Sequence, residues 1–208
     1  MSKICEGHWE KIKNWCEKMM KPSECISSKM KIKLSIDICR LLDEKCEYVT
    51  YQKGDTALLE GDRSNNLYFI IAGIVRGYYI DDKGNDITKC FSRENEFFSS
   101  EGLRAEGPST FTIECLEACR CIRMPYVVVN KIMESEAVFR EYFNQFYFRE
   151  IGKLEQRAKN LIIMNAEERY NDFCSQFPDL YDRVELKYIA SYIGIRAASL
   201  SRIRKKFC

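Results

Sequence analysis

The chain has 208 residues, of which 46% are hydrophobic and 31% are charged, and its formal net charge is +2. This composition is ordinary for a soluble globular protein, and the length is enough for one large domain or two small ones. No apolar run approaches the roughly 20 residues that a membrane-spanning helix needs, and residues 1–20 lack the apolar core of a secretory signal, so we expect a cytoplasmic protein without a membrane span.

Helices are predicted at the front of the chain. Within residues 1 to about 25, Trp9, Ile12 and Trp15–Cys16 follow one another at spacings of three and four, which indicates a short helical lead. A second short helix is predicted near Ile36 to Leu42. Both segments precede a change in the character of the sequence at residue 47.

Residues 47–124 are typical of short β-strands. Runs rich in Tyr, Phe, Ile, Val and Thr are separated by Gly, Asp and Asn at regular intervals. The predicted strands include Tyr48–Tyr51, Leu67–Ala72, Val75–Ile80, Ile87–Phe91, Phe111–Cys115 and Arg120–Met124. Residues 81–85 carry a hairpin turn signal between two of these strands. Such a set of short strands predicts a compact barrel or roll.

A long helix is predicted after Pro125, with a short break at Ser135. Its apolar residues form a stripe with steps of four and three, which consists of Phe143, Tyr147, Ile151, Leu154, Ala158 and Leu161. Such a heptad-like stripe packs either on the roll or on the same helix of a second chain. The opposite face is also apolar, at Phe139, Tyr142 and Phe146, which is enough for two partners, so we favour a homodimer seam.

Residues 166–208 have the pattern of one further helix followed by a helix-turn-helix. The further helix is predicted from Ala166 to Phe177 and ends before Pro178. Two short helices then flank Gly194, which suits the left-handed turn between them. The apolar contacts between these two helices are assigned to Ile189, Ile193, Leu200 and Ile203.

The second of these helices carries the candidate nucleic-acid contacts. Residues 196–208 include five cations and no acidic residue, a local charge that attracts phosphates. Because the second helix of such a motif enters the major groove, the candidate DNA-binding residues are Arg196, Ala197, Ala198, Ser199, Ser201, Arg202, Arg204 and Lys205. Base edges are assigned to Ala197, Ala198, Ser201 and Arg202, and phosphates to Ser199, Arg204 and Lys205. An ordinary helical hairpin with a solvated basic end is the alternative.

The chain has eleven cysteines and a single histidine, His8. The odd number of cysteines is unlike a disulfide framework, and no closely spaced cysteine pair of the kind that structural zinc uses is present. On a strand, Cys115, Cys119 and Cys121 would share one face. We expect buried, reduced thiols with no metal and no cofactor, and a cysteine-based redox or metal-responsive protein is the alternative. Nucleotide loops and nucleophile elbows are also absent, so an enzyme is not expected.

Two groups of motifs carry a family resemblance. At the front, Lys53–Asp55, Glu60–Asp62 and Leu67–Gly73 lie among the predicted strands. At the back, Tyr188–Ile195 and Leu200–Lys206 form the predicted helix-turn-helix. In these motifs the chain resembles the cyclic-AMP receptor protein and FNR superfamily of bacterial transcription regulators. The resemblance covers nearly the whole chain, because both groups occur in this order and are joined by a long helix.

The resemblance implies an α+β fold with three parts. Residues 1–135 would form an effector-sensing β-roll of the cyclic-nucleotide-binding type, residues 136–165 a dimerisation helix, and residues 166–208 a winged helix-turn-helix. The implied function is that of a homodimeric DNA-binding transcription regulator. Its implied partners are a double-stranded DNA operator, a second copy of the chain, RNA polymerase and a small-molecule effector. A non-DNA-binding interaction protein is the remaining alternative.

The sequence departs from this family where the cyclic nucleotide would bind. Nucleotide binders of the family carry a Gly-Glu pair and an Arg-Ser pair, because arginine neutralises the cyclic phosphate and glutamate holds the ribose. Here Ser99 and Ser100 stand in place of the first pair, and Ser109 stands in place of the arginine. Cyclic AMP is therefore not expected to be the effector. The candidate effector-pocket residues are Ser99, Ser100, Glu101, Gly102, Ser109, Thr110, Leu154 and Glu155.

Overall fold

A computed structural model describes residues 20–105 and 107–207 of the chain. Its strands are β1 (Glu47–Tyr51), β2 (Thr56–Leu58), β3 (Asn66–Ala72), β4 (Val75–Ile80), β5 (Asp86–Ser92), β6 (Phe97–Phe98), β7 (Thr112–Cys115) and β8 (Cys119–Pro125). Its helices are α1 (Pro22–Met30), α2 (Ile36–Lys45), α3 (Gly102–Ala105), α4 (Tyr126–Ser135), α5 (Ala137–Ile163), α6 (Ala166–Gln176), α7 (Leu180–Arg183), α8 (Leu186–Tyr192) and α9 (Ala197–Phe207). The predicted helical lead at Trp9, Ile12 and Trp15–Cys16 lies outside the described residues.

The strands form a roll of two antiparallel sheets, ordered β1-β8-β3-β6 and β2-β7-β4-β5. Each strand predicted from the sequence is present, with bounds within one residue of the prediction. The additional strands β2 and β6 have three and two residues, which is too short for an alternating pattern to stand out. The predicted hairpin turn joins β4 to β5, where the Asp81 carboxylate accepts hydrogen bonds from the N–H groups of Lys83 (2.9 Å) and Asn85 (2.8 Å).

Between the two sheets lies a core of buried side chains. It consists of Tyr68, Ile70, Val75, Phe98, Phe111, Ile113, Cys115, Cys119 and Cys121. The three cysteines lie on two strands, because Cys115 ends β7 whereas Cys119 and Cys121 lie on β8. Their side chains nevertheless meet in the same core, since the turn between these strands returns the chain to the roll interior.

Helices α1, α2, α4 and the first part of α5 pack against one sheet of the roll. The buried residues of this second core include Ile26, Leu42, Ile132, Phe139 and Phe143 on the helices, and Phe69 and Ile122 on the strands. Phe97 of β6 reaches into the same core, where its ring lies 4.9 Å from that of Phe143. These aromatic contacts hold the start of α5 against the roll.

The break predicted at Ser135 is confirmed, because α4 ends there and the N–H of Glu136 bonds to the carbonyl of Ile132 (2.8 Å). One part of the predicted stripe on α5 is misassigned. Phe143 is 1% exposed and packs in the core beside Phe139. The core that covers Phe143 extends along α5 only as far as Phe146 and Tyr147, so later residues of the stripe such as Ile151 and Leu154 remain half exposed.

The C-terminal segment contains the predicted helix-turn-helix as α8 and α9. Buried side chains of Ile189, Ile193, Leu200 and Ile203 join the two helices. Gly194 has φ +71° in the turn between them, where a Cβ would also lie 2.9 Å from Leu161. The wing that the resemblance implies is not seen in residues 126–207, which form helices and connecting turns without a strand. No helix of the described ranges has the length and apolar character needed to cross a membrane.

Candidate effector cavity and nucleic-acid interface

A cavity of about 710 Å³ lies between the roll and helix α5. Its apolar lining residues are Leu67, Val75, Phe97, Phe98, Leu103, Phe111, Ile113, Phe146, Tyr147, Ile151 and Leu154. The other lining residues are Gly77, Lys89, Cys90, Ser92, Ser99, Ser100, Glu101 and Glu150. Ile151 and Leu154 are also half exposed to solvent, so the cavity opens along the outer side of α5.

The structure brings four of the eight candidate pocket residues together in this lining. They are Ser99, Ser100, Glu101 and Leu154. The other four lie outside it, namely Gly102, Ser109, Thr110 and Glu155. Leu154 and Glu155 therefore separate, because neighbouring residues on a helix point about 100° apart. Glu155 is exposed to solvent.

Three of the residues outside the lining instead shape the loop that borders the cavity. The hydroxyl of Ser109 donates a hydrogen bond to the carbonyl of Phe111 (2.6 Å). The hydroxyl of Thr110 donates to the carboxylate of Glu101. A Cβ at Gly102 would lie 2.5 Å from the carbonyl oxygen of Gly107, so the loop closes only around a glycine.

Two neighbouring serines of the lining differ in how their hydroxyls are satisfied. Ser99 donates a hydrogen bond to the carbonyl of Asn66 (2.9 Å) and lies 2.9 Å from the hydroxyl of Ser64. Ser100 is 6% exposed, and its hydroxyl has no hydrogen-bond partner among the described residues. Buried hydroxyls are nearly always paired, so the unpaired hydroxyl of Ser100 is an exception in this structure.

Each charged group of the lining has an ion-pair partner. The ammonium of Lys89 lies 3.5 Å from the Glu101 carboxylate and 3.5 Å from the centre of the Phe111 ring. Glu150 forms an ion pair of 2.7 Å with Lys153. Among the described residues, the lining contains no arginine. Among the side chains that the structure describes, none therefore supplies to this cavity the forked cation that suits a cyclic phosphate.

The cysteines of the described residues are free thiols, and several of them are buried. Burial raises the pKa of Cys46 to about 12, and it also raises the pKa of Cys121. The pKa of Cys115 is raised by a hydrogen bond with Cys119 and by burial. Within the described part of the chain, no three His, Cys, Asp or Glu residues lie close enough to hold a metal ion.

Helix α9 presents part of the candidate DNA-binding set to solvent. Ala198, Arg202 and Lys205 are exposed and share one face, since they are four and three residues apart. Arg196 and Ala197 are exposed at the start of this helix. Three candidates are only partly accessible, namely Ser199, Ser201 and Arg204. The Arg204 guanidinium lies 6.0 Å from the ring centre of Tyr181.

The helix-turn-helix packs against the roll of its own chain. The hydroxyl of Ser191 on α8 accepts a hydrogen bond from the N–H of Thr88 (2.8 Å) and donates one to the carbonyl of Asp86 (3.0 Å). Arg76 of β4 is 1% exposed, and its guanidinium lies 3.8 Å from the ring centre of Tyr188. The same guanidinium forms ion pairs with Asp86 and Glu114. These contacts fix α8 beside strand β5.

Arg157 joins the long helix to both neighbouring parts. Its guanidinium donates hydrogen bonds to the carbonyls of Thr88 (2.9 Å) and Lys89 (2.7 Å) on β5, and to that of Tyr192 (3.1 Å) on α8. Burial lowers the pKa of Arg157. Neither Arg157 nor Arg76 was predicted from the sequence, although an arginine within the apolar run of β4 is a visible signal for a buried ion pair.

Comparisons with known proteins agree with this geometry. Residues 48–136 match the family model described as the cyclic nucleotide-binding domain. The chain is 21% identical over 167 residues to an anaerobic regulatory protein of Haemophilus influenzae. That alignment covers 75% of this chain but 65% of the relative, which is just under two thirds of its length.

Several solved structures have a similar fold. FixK2 of Bradyrhizobium japonicum has a TM-score of 0.70 at 17% identity, with 78% of this chain and 84% of that chain covered. A Crp/Fnr-family transcriptional regulator of Eubacterium rectale has a TM-score of 0.66 at 16% identity, with 84% and 83% covered. The cyclic-di-GMP-responsive regulator CLP of Xanthomonas campestris has a TM-score of 0.65 at 15% identity, with 83% and 91% covered. Residues 48–136 therefore match the cyclic nucleotide-binding domain family, and the chain has the fold of the Crp/Fnr transcription regulators.

Proposed function

We propose that the chain is a homodimeric DNA-binding transcription regulator whose roll cavity binds a small effector. The observation that carries this proposal is the exposed basic face of α9 on a helix-turn-helix that packs against a roll with an open cavity. We assign effector sensing to residues 1–135, dimerisation to residues 136–165 and DNA binding to residues 166–208. Contact with RNA polymerase stays a prediction.

The exposed face of α9 supports the assignment of DNA contacts. Arg202 is long enough to reach a guanine edge in the major groove, where it can donate two hydrogen bonds. Ala198, one turn earlier, suits the methyl group of a thymine. Lys205 lies on the same face one turn later and suits a phosphate, as does Arg196 at the start of the helix.

The outer side of α5 supports a second copy of the chain as partner. Ile151, Leu154 and Leu161 are 50%, 49% and 41% exposed. Together with the exposed Ala158 they follow one another in steps of three, four and three, which is the spacing of a coiled-coil seam. Phe148 and Ile162 add further exposed apolar surface on this helix. A stripe of this extent is usually covered by a partner.

A cysteine-based redox regulator has less support. The thiolate is the reactive form of cysteine, and the raised pKa values of Cys46, Cys115 and Cys121 keep these thiols protonated near neutral pH. Their burial in the cores also limits access by oxidants. These observations favour a structural role for the three thiols.

The test of the proposed function is selection of binding sites from random DNA duplexes by the wild-type protein and two variants. We expect Arg202→Ala to cost about 1–3 kcal/mol and to relax the preference at one position in each half-site. We expect Lys205→Ala to weaken binding to all sequences. It should also lower the slope of log affinity against log salt concentration by about one unit per site. A two-fold dimer should protect two half-sites about 34–36 Å apart, or a multiple of that distance.

The matched control is Lys83→Ala, which removes an exposed cation from the turn between β4 and β5. It should leave the selected motif, the affinity and the salt dependence unchanged. If Arg202→Ala yields the same motif with the same information content as the wild type, the assignment of Arg202 to a base is wrong. If the wild-type protein selects no motif and shows no salt-dependent retention on DNA, the proposed function itself is wrong.

A further inference from the structure

We infer that Arg76 is a positioning residue that fixes, through Tyr188, the orientation of the helix-turn-helix on the roll. The contact thereby sets the distance between the two half-sites that the dimer accepts. The inference concerns the geometry of DNA binding, and so it rests on the proposed function. Three observations carry it: the fixed plane of the Arg76 guanidinium, the ring of Tyr188 that contacts it, and the weakness of the other contacts at the start of α8.

The first observation is that the roll fixes the plane of the Arg76 guanidinium. Its N–H groups make five hydrogen bonds, to the carboxylates of Asp86 and Glu114 and to the hydroxyl of Thr88. Asp86 and Thr88 lie on β5 and Glu114 lies on β7, so these acceptors all belong to the roll. A guanidinium has five N–H donors, all in its plane, and here each one is used. Only the faces of the group remain for a contact with another part of the chain.

The second observation is the position of Tyr188 on α8. Its ring centre lies 3.8 Å from the guanidinium of Arg76, and the ring centre of Tyr78 on β4 lies 4.3 Å from it. The neighbours of Arg76 in β4, Val75 and Gly77, line the cavity, so the alternation of the strand turns Arg76 away from the cavity and toward α8. An arginine that stacks on an aromatic ring holds that ring at one angle, because the two planar groups must meet face to face.

The third observation is that the two ends of α8 are held differently. Hydrogen bonds of Arg157 and Ser191 with backbone groups hold its C-terminal end. At its N-terminal end, Glu185 lies 3.2 Å from Lys53, but these side chains are 46% and 66% exposed. Exposed ion pairs contribute little, because water competes for both groups. The direction of a helix axis needs two fixed points, and the contact with Arg76 supplies the second.

The remaining contacts between the roll and the C-terminal helices do not fix this direction. Phe91 of β5 packs in one core with Phe173 and Tyr192. Apolar burial is non-directional, so this core holds the two parts together without setting the angle between them. Arg183 anchors the preceding helix α7 through ion pairs whose side chains are about one-third exposed. The contact of Arg76 with Tyr188 is therefore the buried, directional contact near the start of α8.

A fixed orientation of α8 has a consequence for DNA that carries two half-sites. The start of α5 packs on the roll, so a dimer seam on α5 fixes the two rolls relative to each other. Helix α9 moves with α8, because Ile189 and Leu200 share one core. Each base pair inserted between the half-sites rotates one of them by about 35° and moves it by about 3.4 Å. A rigid link cannot follow this change, whereas a loosened link lets each α9 follow its own half-site.

The experiment measures the affinity of the full-length protein for three duplexes: one with the selected half-sites at the selected distance, one with a base pair inserted between them, and one with a single half-site. Tyr188→Leu removes the ring and keeps an apolar side chain, and Tyr188→Phe, which keeps the ring, is its matched control. The inserted base pair should weaken binding at least about tenfold for the wild type and Tyr188→Phe, but no more than about threefold for Tyr188→Leu. All three proteins should bind the single half-site equally, because α9 is unchanged.

Arg76→Lys tests the same contact from the side of the roll. Lysine keeps a positive charge between the carboxylates of Asp86 and Glu114, but it has no planar face for the ring of Tyr188. It should give the same tolerance of the inserted base pair as Tyr188→Leu. Combining the two changes should add no further tolerance, because both act through one contact. Thermal unfolding of each variant checks that it is folded.

Three results would overturn the inference: a wild-type loss of affinity on insertion in both Tyr188→Leu and Arg76→Lys, an equal tolerance in Tyr188→Phe, or additive effects of the two changes. Tighter binding of Tyr188→Leu to the selected duplex would also overturn it, because the contact would then oppose DNA binding. If the wild type binds none of the duplexes, the proposed function is rejected together with this role. If the wild type binds and the variants keep its tolerance, only the role of Arg76 is rejected.

Discussion

Cys46, Cys115 and Cys121 are buried, and the pKa of each thiol is raised above its ordinary value. Burial removes the water that would stabilise the thiolate, so the protonated form is favoured. The pKa of Cys46 is raised from 9.0 to about 12. Each pKa unit is a factor of ten in the thiolate population, so below pH 9 the folded state holds roughly a thousandfold less thiolate at Cys46 than the unfolded state.

We therefore expect Cys46, Cys115 and Cys121 to react with iodoacetamide at pH 8 at least about a hundredfold more slowly in the folded protein than in denaturant. The measurement is peptide mapping by mass spectrometry over a time course, with the denatured chain as control.

The raised pKa of Cys46 has a second consequence. The contribution of the Cys46 thiol to the free energy of unfolding is present below pH 9. It is lost as the pH rises toward 12, because the thiol of the unfolded chain ionises first. Equal rates of iodoacetamide labelling in the folded and the denatured chain would contradict the expected protection of these thiols.

Helix α5 has two different environments along its length. Near its start, Phe139 and Phe143 are buried against the roll. Farther along, Ile151 and Leu154 line the mouth of the cavity and remain half exposed. A partner helix on this side would cover the stripe and also close the cavity. Dimerisation and effector binding would then use the same segment of the helix.

The prediction for α5 is that the double variant Ile151→Asp, Leu154→Asp is monomeric by analytical sedimentation. Each aspartate places an unpaired charge in the proposed contact, which costs about 3–5 kcal/mol per group when the contact is fully buried. The matched control is Ile36→Asp, Val127→Asp, which changes two exposed apolar residues in the first turns of other helices. The control should remain dimeric. A folded dimer of the α5 variant would place the interface elsewhere.

The roll, the long helix and the helix-turn-helix meet at a small number of polar contacts. Arg157 reaches the carbonyls of Lys89 and Tyr192, and the side chain of Lys89 lines the cavity. Arg183 on α7 forms ion pairs with Glu94 and Glu117 of the roll. The cavity and the helix-turn-helix therefore share strand β5, and a ligand that moves β5 has a direct route to α8.

We expect Arg157→Lys to loosen the helix-turn-helix from the roll. Lysine keeps the charge but cannot reach three carbonyls at once, and hydrogen bonds from charged donors contribute roughly 1.5–3 kcal/mol each. Amide hydrogen exchange in residues 186–207 should be about ten- to a hundredfold faster, whereas exchange in β1 and β8 should be unchanged. Arg149→Lys, an exposed position on the same helix, is the control. Unchanged exchange in residues 186–207 would show that Arg157 does not hold the two parts together.

Most elements of this fold could be predicted from the sequence, because each depends on neighbouring residues. Short runs of aromatic and β-branched residues between turn residues mark strands such as β3 and β4, and the signal in residues 81–85 marks the β4–β5 hairpin. Gly194 marks the turn of the helix-turn-helix through its positive φ. The strands β2 and β6 were missed because three or two residues are too few to show a period.

The candidate cavity could be predicted only in part. Ser99, Ser100 and Glu101 were placed there by resemblance, and they do line it. Ser109 was assigned to the same pocket, but its hydroxyl bonds within its own loop. Its distance from the cavity depends on how that loop folds back, and the order of residues does not record this.

The sequence by itself therefore determined the roll, the long helix and the helix-turn-helix, since periodicity, turn residues and charge act over short stretches of chain. The tertiary structure alone decided that Phe143 lies in the core, that Ser100 keeps a free hydroxyl and that Arg76 and Arg157 join the roll to the helix-turn-helix. The physical reason is separation along the chain. Arg157 lies 69 and 35 positions from two of its partners, Thr88 and Tyr192, and such contacts exist only once the elements have packed.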